Sequence, residues 1–283
     1  MINIFTALYC EAQPIIGYFG LKRQQDINRF QFFSNGTVNL LITGTGMLNA
    51  AVGVTSLCSA HRPGSGDILV NIGICGTGNI SLQKGTPVLC SKIVDISTGK
   101  SCYPDMLFRH PFIEGTVLTS PVPVTDKTGK QFEGKGIIVS DMEAYGIFHA
   151  GSVFYQPHQM FFIKIVSDYE TGEQVSSCQA SSLVAGNAAT IAEWIKTIHD
   201  ELSAKQQFFF SDEETALLKK ASEYMKLTVS MQYQLNQLMK FYKLQYGDFA
   251  GKLAKFIDEN LKNPCGSKTE GKKRFDELRK RFV

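Results

Sequence analysis

The sequence predicts an α/β protein, with a mainly parallel sheet covered by helices on both faces and a helical extension at the C-terminal end. Three observations predict it. Seven β-rich apolar runs recur along the first two thirds of the chain, several too continuous to leave a wet face. Helical patterns alternate with them, the arrangement that builds parallel sheets. Near residue 203 the strand-like runs stop and only helical spacing follows.

The strand expectations are Ile2–Leu8, Val38–Thr43, Ile68–Ile72, Pro87–Val94, Val117–Leu118, Gly136–Val139 and Met160–Val166. Between or after them, apolar residues at helical spacing predict helices over Glu11–Phe19, Met47–Ala60, Met142–Ala150 and Ala180–Leu202, the last holding the single tryptophan, Trp194. The extension reads as three helices, roughly 211–227, 230–246 and 248–262, started by Asp212-Glu213-Glu214, capped at Ser230, and interrupted at Gly247-Asp248. Their residues Leu217, Leu218, Tyr224, Leu235, Leu238, Phe241, Leu253 and Phe256 recur at the spacing of a packed face. After Asn263-Pro264-Cys265-Gly266-Ser267, the charge-rich KTEGKKRFDELRKRFV reads as an exposed, marginal helix. Two domains are expected, 1–202 and 203–283.

With 283 residues, 43% hydrophobic and 19% charged, the chain has the composition of a folded globular protein. Its seven cysteines are scattered, odd in number and never spaced CxxC, so neither a zinc site nor a disulfide framework is suggested and reduced core thiols are expected. The opening MINIFTALYCEAQ lacks a basic leader and is too short to span a bilayer, so a buried first strand in a cytoplasmic protein is expected. Net charge is +3 and uneven: residues 1–200 hold 13 Lys/Arg against 15 Asp/Glu, and 201–283 hold 16 against 11. The basic excess forms no recognition helix for nucleic acid, and a solvated helical face accounts for it.

In parallel sheets, reactive polar groups collect where strands end at their carboxyl edge. Four such places carry them: Glu11 after the first strand, the glycine turns TGTGMLNAA and NIGICGTGN, the pair Asp141 and Glu143 in VSDMEAYG, and Ser167-Asp168. Each has a structural alternative. Glu11 suits the first turn of a helix, Asp141 suits a helix cap with Glu143 in its first turn, and the glycines suit tight turns.

Together the motifs are more specific. Ala7 and Glu11, Gly44-x-Gly46-x-x-Asn49, Asn71-x-Gly73-x-x-Gly76, Asp141-Met142-Glu143-Ala144 and Ser167-Asp168 occur in an order that resembles the purine nucleoside phosphorylase and nucleosidase superfamily, and within it the methylthioadenosine/S-adenosylhomocysteine nucleosidases. The resemblance covers about residues 1–202. It implies a three-layer α/β/α phosphorylase-like fold with a central mixed, mostly parallel sheet. It also implies an N-ribosyl hydrolase acting on a purine nucleoside, most simply a 5′-modified adenosine. Asp168 would protonate the leaving base and Glu11 would hold and deprotonate the attacking water. Glu143 would accept from ribose hydroxyls, Met142 would pack on the sugar, and Asp141, Ser167, Gly44, Ile74, Cys75 and Gly76 would complete the substrate site.

Phosphorylases of the superfamily hold phosphate with arginines, where this chain has Asn71 and Cys10-Glu11-Ala12, so water rather than phosphate is the expected nucleophile; phosphorolysis and a weakened nucleoside-binding protein are the alternatives. Nucleosidases carry a small or hydroxyl residue at Ile74 and an arginine at Lys164. The segment between Thr119 and Ser140 is shorter than theirs, which leaves Phe108 or Tyr103 to stack on the base. No metal or organic cofactor is implied, and a homodimer or larger homo-oligomer is expected.

Overall fold

The computed structural model describes residues 1–25, 27, 29–125, 136–172, 174–207, 210–261 and 263–282. Ten strands form one mixed sheet: β1 Ile2–Thr6, β2 Lys22–Gln24, β3 Gln31–Ser34, β4 Val38–Ile42, β5 Ile68–Gly76, β6 Pro87–Asp95, β7 Ser101–Cys102, β8 Ile113–Thr119, β9 Ile138–Asp141 and β10 Met160–Asp168. Their order is β10-β6-β8-β9-β5-β1-β4-β3-β2, with β7 on β6, and β10 also pairs β5, so five strands close on themselves. β1–β4, β1–β5, β5–β10, β6–β8 and β8–β9 are parallel.

Side chains alternate across this sheet, and both faces are dry. Ile4, Leu40 and Val70 share one core with Ala12 and Ile15 of α1 (Tyr9–Phe19) and with Val184 and Ile191 of α4 (Ser177–Gln207). Their neighbours Phe5, Leu41 and Leu69 point the other way. They join Val54 and Leu57 of α2 (Met47–Ala60) and Ile147 of α3 (Ala144–Gly151). That is the three-layer arrangement, and it explains why these strands read as unbroken apolar runs.

The short antiparallel strands were not legible. β2 is KRQ, polar and mostly exposed, and pairs with β3 across a hairpin, while β3 returns to β4 through Asn35-Gly36. Asn35 Oδ1 accepts from the N–H groups of Thr37 and Val38, and Gly36 takes φ 91°.

The chain divides into two compact units, Met1–Ser203 and Ala204–Val283. The second contains α5 (Asp212–Tyr224), α6 (Val229–Tyr246), α7 (Ala250–Asn260) and α8 (Lys268–Phe282), with a core of its own that includes Leu218, Met239, Leu253 and Phe256. Three expectations here are corrected. Thr228, not Ser230, caps α6, its hydroxyl accepting from Met231 N–H, and Phe241 is 57% exposed rather than packed. The C-terminal helix is not merely a solvated face. Phe275, Leu278 and Phe282 lie at i, i+3 and i+7, and all three are buried among seven basic residues that mask them in the sequence. Ser211 caps α5 in a reciprocal capping box with Glu214, while the Glu214 carboxylate also meets Lys243 Nζ at 2.5 Å. Among the described residues no helix is long and apolar enough to cross a membrane.

Candidate active site

The carboxyl ends of β1, β5, β9 and β10 surround a cavity of about 480 Å³, lined by five carboxylates: Glu11, Asp141, Glu143, Asp168 and Glu170. Strand pairing brings them together. β5 lies between β1 and β10, and its last residue, Gly76, is in register with both Asp168 and Ser140. A register shift between Val166 and Asp168 turns the end of β10 into the cavity.

Glu11 sits in the first turn of α1, yet 3% of it is exposed. Its Oε2 accepts from the N–H groups of Ala7 and Leu8, each at 2.9 Å, and its Oε1 accepts from Ile74 N–H at 2.9 Å. Three of its roughly four acceptor positions are therefore filled by backbone. Burial raises its pKa, against those N–H groups and Lys164. The helix-start reading and the site reading of Glu11 are thus both physically present: it caps the turn after β1 and faces the cavity.

Asp141 caps the helix as its position suggests, whereas Glu143 does not serve the first turn. Glu143 occupies the N-cap position of α3 without capping it; the carboxylate reaches across to accept from Gly46 N–H at 2.7 Å. Gly46 has φ 94°, a conformation strained for other residues, which aims that N–H at the acid. Asp141 carries out the capping from β9, accepting from Ala144 N–H at 2.8 Å, from Thr119 Oγ1 at 2.7 Å and from Lys164 Nζ at 2.7 Å. The Lys164 and Asp141 side chains are 1% and 0% exposed. Burial opposes the Lys164 charge, but Asp141, Glu143 and Glu11 outweigh it and raise its pKa.

The Glu143 carboxyl is pushed up to about 7, first by burial and then by the charge of Asp141. An acid that binds its proton more tightly in the folded chain adds stability that is fully present below its ordinary pKa of 4.5, and that is lost as pH rises through about 7. Wild-type protein is accordingly expected to lose up to about 3 kcal/mol between pH 5 and 8 that Glu143→Gln retains. Urea unfolding of both proteins at the two pH values checks it, and parallel pH dependences would contradict it.

Asp168 receives Ser167 Oγ at 2.7 Å on Oδ2 and Glu170 N–H at 3.0 Å on Oδ1. The Ser167 hydroxyl also lies 3.0 Å from Cys75 O, and its single proton serves one acceptor at a time. A Cβ on Gly76 would stand 2.9 Å from Glu170 Cγ and 3.1 Å from both Asp168 Oδ1 and Ser140 Oγ, so the bare glycine is what lets the three side chains converge.

Met142, Ile74, Cys75 and Ser167 also line the cavity. Burial pushes the Cys75 thiol up, so it stays protonated. Gly44 is spent elsewhere, donating to Ala7 O, and Thr45 takes its place at the wall. The aromatic expectations fail: Tyr103 is 58% exposed beside Lys92, and Phe108 packs edge-on to Phe161 against the core. Half of the short segment between Thr119 and Ser140, residues 126–135, lies outside the described residues, and Val124 and Thr125 before it line the cavity. Glu170 was missed. In the sequence Glu170 stands in the polar loop SDYETG with no pattern to mark it, and only the fold shows that this second acid is buried.

No family model and no curated protein sequence matches the chain. Solved structures do. The Neisseria meningitidis 5′-methylthioadenosine/S-adenosylhomocysteine nucleosidase in complex with methylthio-immucillin-A is similar with a TM-score of 0.58 and 17% identity, over 69% of this chain and 98% of that one. The apo Arabidopsis thaliana 5′-methylthioadenosine nucleosidase gives 0.58 and 17%, over 70% and 95%. The Helicobacter pylori futalosine hydrolase gives 0.53 and 17%, over 71% and 97%. Strand order, layering and these likenesses agree: the chain has the mixed α/β, phosphorylase-like fold of the methylthioadenosine nucleosidases, followed by additional helices.

Proposed function

We propose that the protein is an N-ribosyl hydrolase that releases the base from a purine nucleoside, with a 5′-modified adenosine of the methylthioadenosine type as substrate. The observation that carries this reading is the convergence of Glu11, Glu143 and Asp168 on one cavity. In the reaction the C1′–N9 bond breaks and its electron pair goes to the base, while Asp168 delivers a proton to N7 so that the purine leaves neutral. Water attacks C1′ and gives its proton to Glu11, whose remaining acceptor position and burial-raised pKa suit that role. Glu143 accepts from the ribose hydroxyls. Asp141, held by Thr119, Ala144 and the Lys164 ammonium, positions rather than reacts.

Two of the similar structures are named for methylthioadenosine cleavage, and the third for hydrolysis of futalosine, which supports hydrolysis. A carboxylate at the nucleophile's place, Glu11, would repel a phosphate dianion and not a neutral water. Asn71, where phosphorylases hold phosphate, is 1% exposed and donates to Phe5 O. Residues 1–202 would carry the activity, as a homodimer or larger assembly, with the rest a helical extension.

The direct experiment is incubation with methylthioadenosine, S-adenosylhomocysteine, 5′-deoxyadenosine, adenosine and inosine, with and without phosphate, followed by chromatography for free base. Release from none of them ends the proposal, and phosphate-dependent release with formation of ribose 1-phosphate replaces it by phosphorolysis. Gly76→Ala is expected to lower kcat/KM by at least about tenfold through displacement of Glu170 and Asp168, since misplacing groups by about 1 Å costs up to 10²-fold. The backbone there is not in the left-handed region, so a large loss of stability without loss of rate would contradict it.

A further inference from the structure

Glu170 stands two residues beyond Asp168, at the same end of the cavity, on a backbone of φ 59°. For a glutamate that conformation is strained and persists where the surroundings hold it in place, often at ligand clamps. Its side chain is 6% exposed, in contrast to the exposed residues that follow it. Its Oε1 accepts from Ser140 Oγ at 2.6 Å, its backbone N–H donates to Asp168 Oδ1 at 3.0 Å, and Oε2 lies over the bare Cα of Gly78, 3.7 Å from where a Cβ would be. Asp168 and Glu170 are therefore two linked carboxyl groups side by side at one wall, joined through the same short loop.

Purine chemistry gives this pairing a meaning. In a purine ring the substituent on C6 projects beside N7, on the same edge. If Asp168 faces N7, the group next to Asp168 faces whatever C6 carries. A carboxylate is an acceptor only. It attracts the two N–H bonds of a 6-amino group and repels the oxygen of a 6-oxo group.

We propose that Glu170 is a specificity-determining residue that selects 6-aminopurine over 6-oxopurine nucleosides, accepting from the amino group while Asp168 serves N7. The Ser140 hydroxyl holds one oxygen of the Glu170 carboxylate, and the strained loop sets the spacing of the two acids. The inference rests on the nucleosidase reading and adds to it a residue and a base class. Selection follows from the sign of the contact: the amino N–H bonds meet an acceptor at Glu170, whereas a 6-oxo oxygen meets another electron-rich oxygen.

The test compares kcat/KM for adenosine and inosine, and for methylthioadenosine and methylthioinosine, in wild type, Glu170→Gln and Glu170→Ala. Wild type is expected to favour the amino compound by at least about 10²-fold. Glu170→Gln, which can both donate and accept, is expected to reduce that ratio at least tenfold, mainly by admitting the oxo compound. Glu170→Ala should reduce it through loss of the amino compound. A second measurement needs no variant: purine riboside, which carries only hydrogen at C6, should be a poor substrate for the wild type. Ratios unchanged in folded variants, a wild-type preference for inosine, or full activity on purine riboside would each overturn the role of Glu170 while leaving the hydrolase intact. Cleavage of no nucleoside by the wild type would overturn both.

Discussion

Asp168→Asn is expected to lower kcat for base release by more than about 100-fold while leaving nucleoside binding within a few-fold of wild type. General acids contribute typically about 10²–10⁴ in rate. An asparagine keeps the shape of the side chain and can still accept the Ser167 hydroxyl or the Glu170 N–H through its one oxygen, but it cannot hand a proton to N7. The base would then have to leave as an anion. Steady-state kinetics give kcat, and calorimetric titration of the variant with methylthioadenosine gives the affinity. A loss of only a few-fold would place the proton donor elsewhere, and Glu170, whose backbone N–H donates to Asp168, is another acid in the same cavity. Loss of binding with kcat preserved would instead make Asp168 a positioning group.

Lys164→Met is expected to destabilise the protein by about 3–5 kcal/mol, the usual cost of removing one partner from a buried ion pair. The pair is enclosed, with side chains 1% and 0% exposed, so water cannot replace the ammonium beside Asp141. Thr119 and Ala144 still donate to the Asp141 carboxylate, which puts the expected value nearer the low end of that range. The loss of charge also raises the Glu143 and Glu11 pKa values further, because Lys164 lowers both. A cycle with Asp141→Asn separates pair from packing: the double variant should be more stable than the sum of the two single losses predicts. Strict additivity by urea unfolding would show that the two charges do not depend on each other. The Lys164 ammonium meets Asp141 at one point and cannot form the two-pronged fork that an arginine guanidinium would.

The central strands were legible because both faces of the sheet are buried, so Ile2–Thr6, Val38–Ile42 and Met160–Asp168 had no polar alternation to obscure them. The helices α1, α2 and α4 were legible from their spacing for the same reason. The polar hairpin strand KRQ and the two-residue β7 carried no pattern long enough to detect. In the C-terminal helix, charge density hid the apolar stripe of Phe275, Leu278 and Phe282. Phe241, which has the right spacing for a core position, is exposed because spacing fixes a face of a helix but not which part of that face is covered.

For the site, the sequence alone determined which acids stand at strand ends: Glu11, Asp141, Glu143 and Asp168 follow apolar runs whose carboxyl edge is the place a parallel sheet leaves open. What only the tertiary structure decided is how those acids divide their tasks. Asp141 is taken up by a lysine far away in sequence, Glu143 reaches past its own helix to Gly46, Gly44 turns away, and Glu170 is drawn inside. Those outcomes depend on register between strands that are distant in the chain, and on one missing Cβ at Gly76, where three side chains meet. Local sequence fixes where a strand ends, whereas the neighbours that an acid meets there, and hence its charge and its role, are set by contacts that exist only once the sheet has closed.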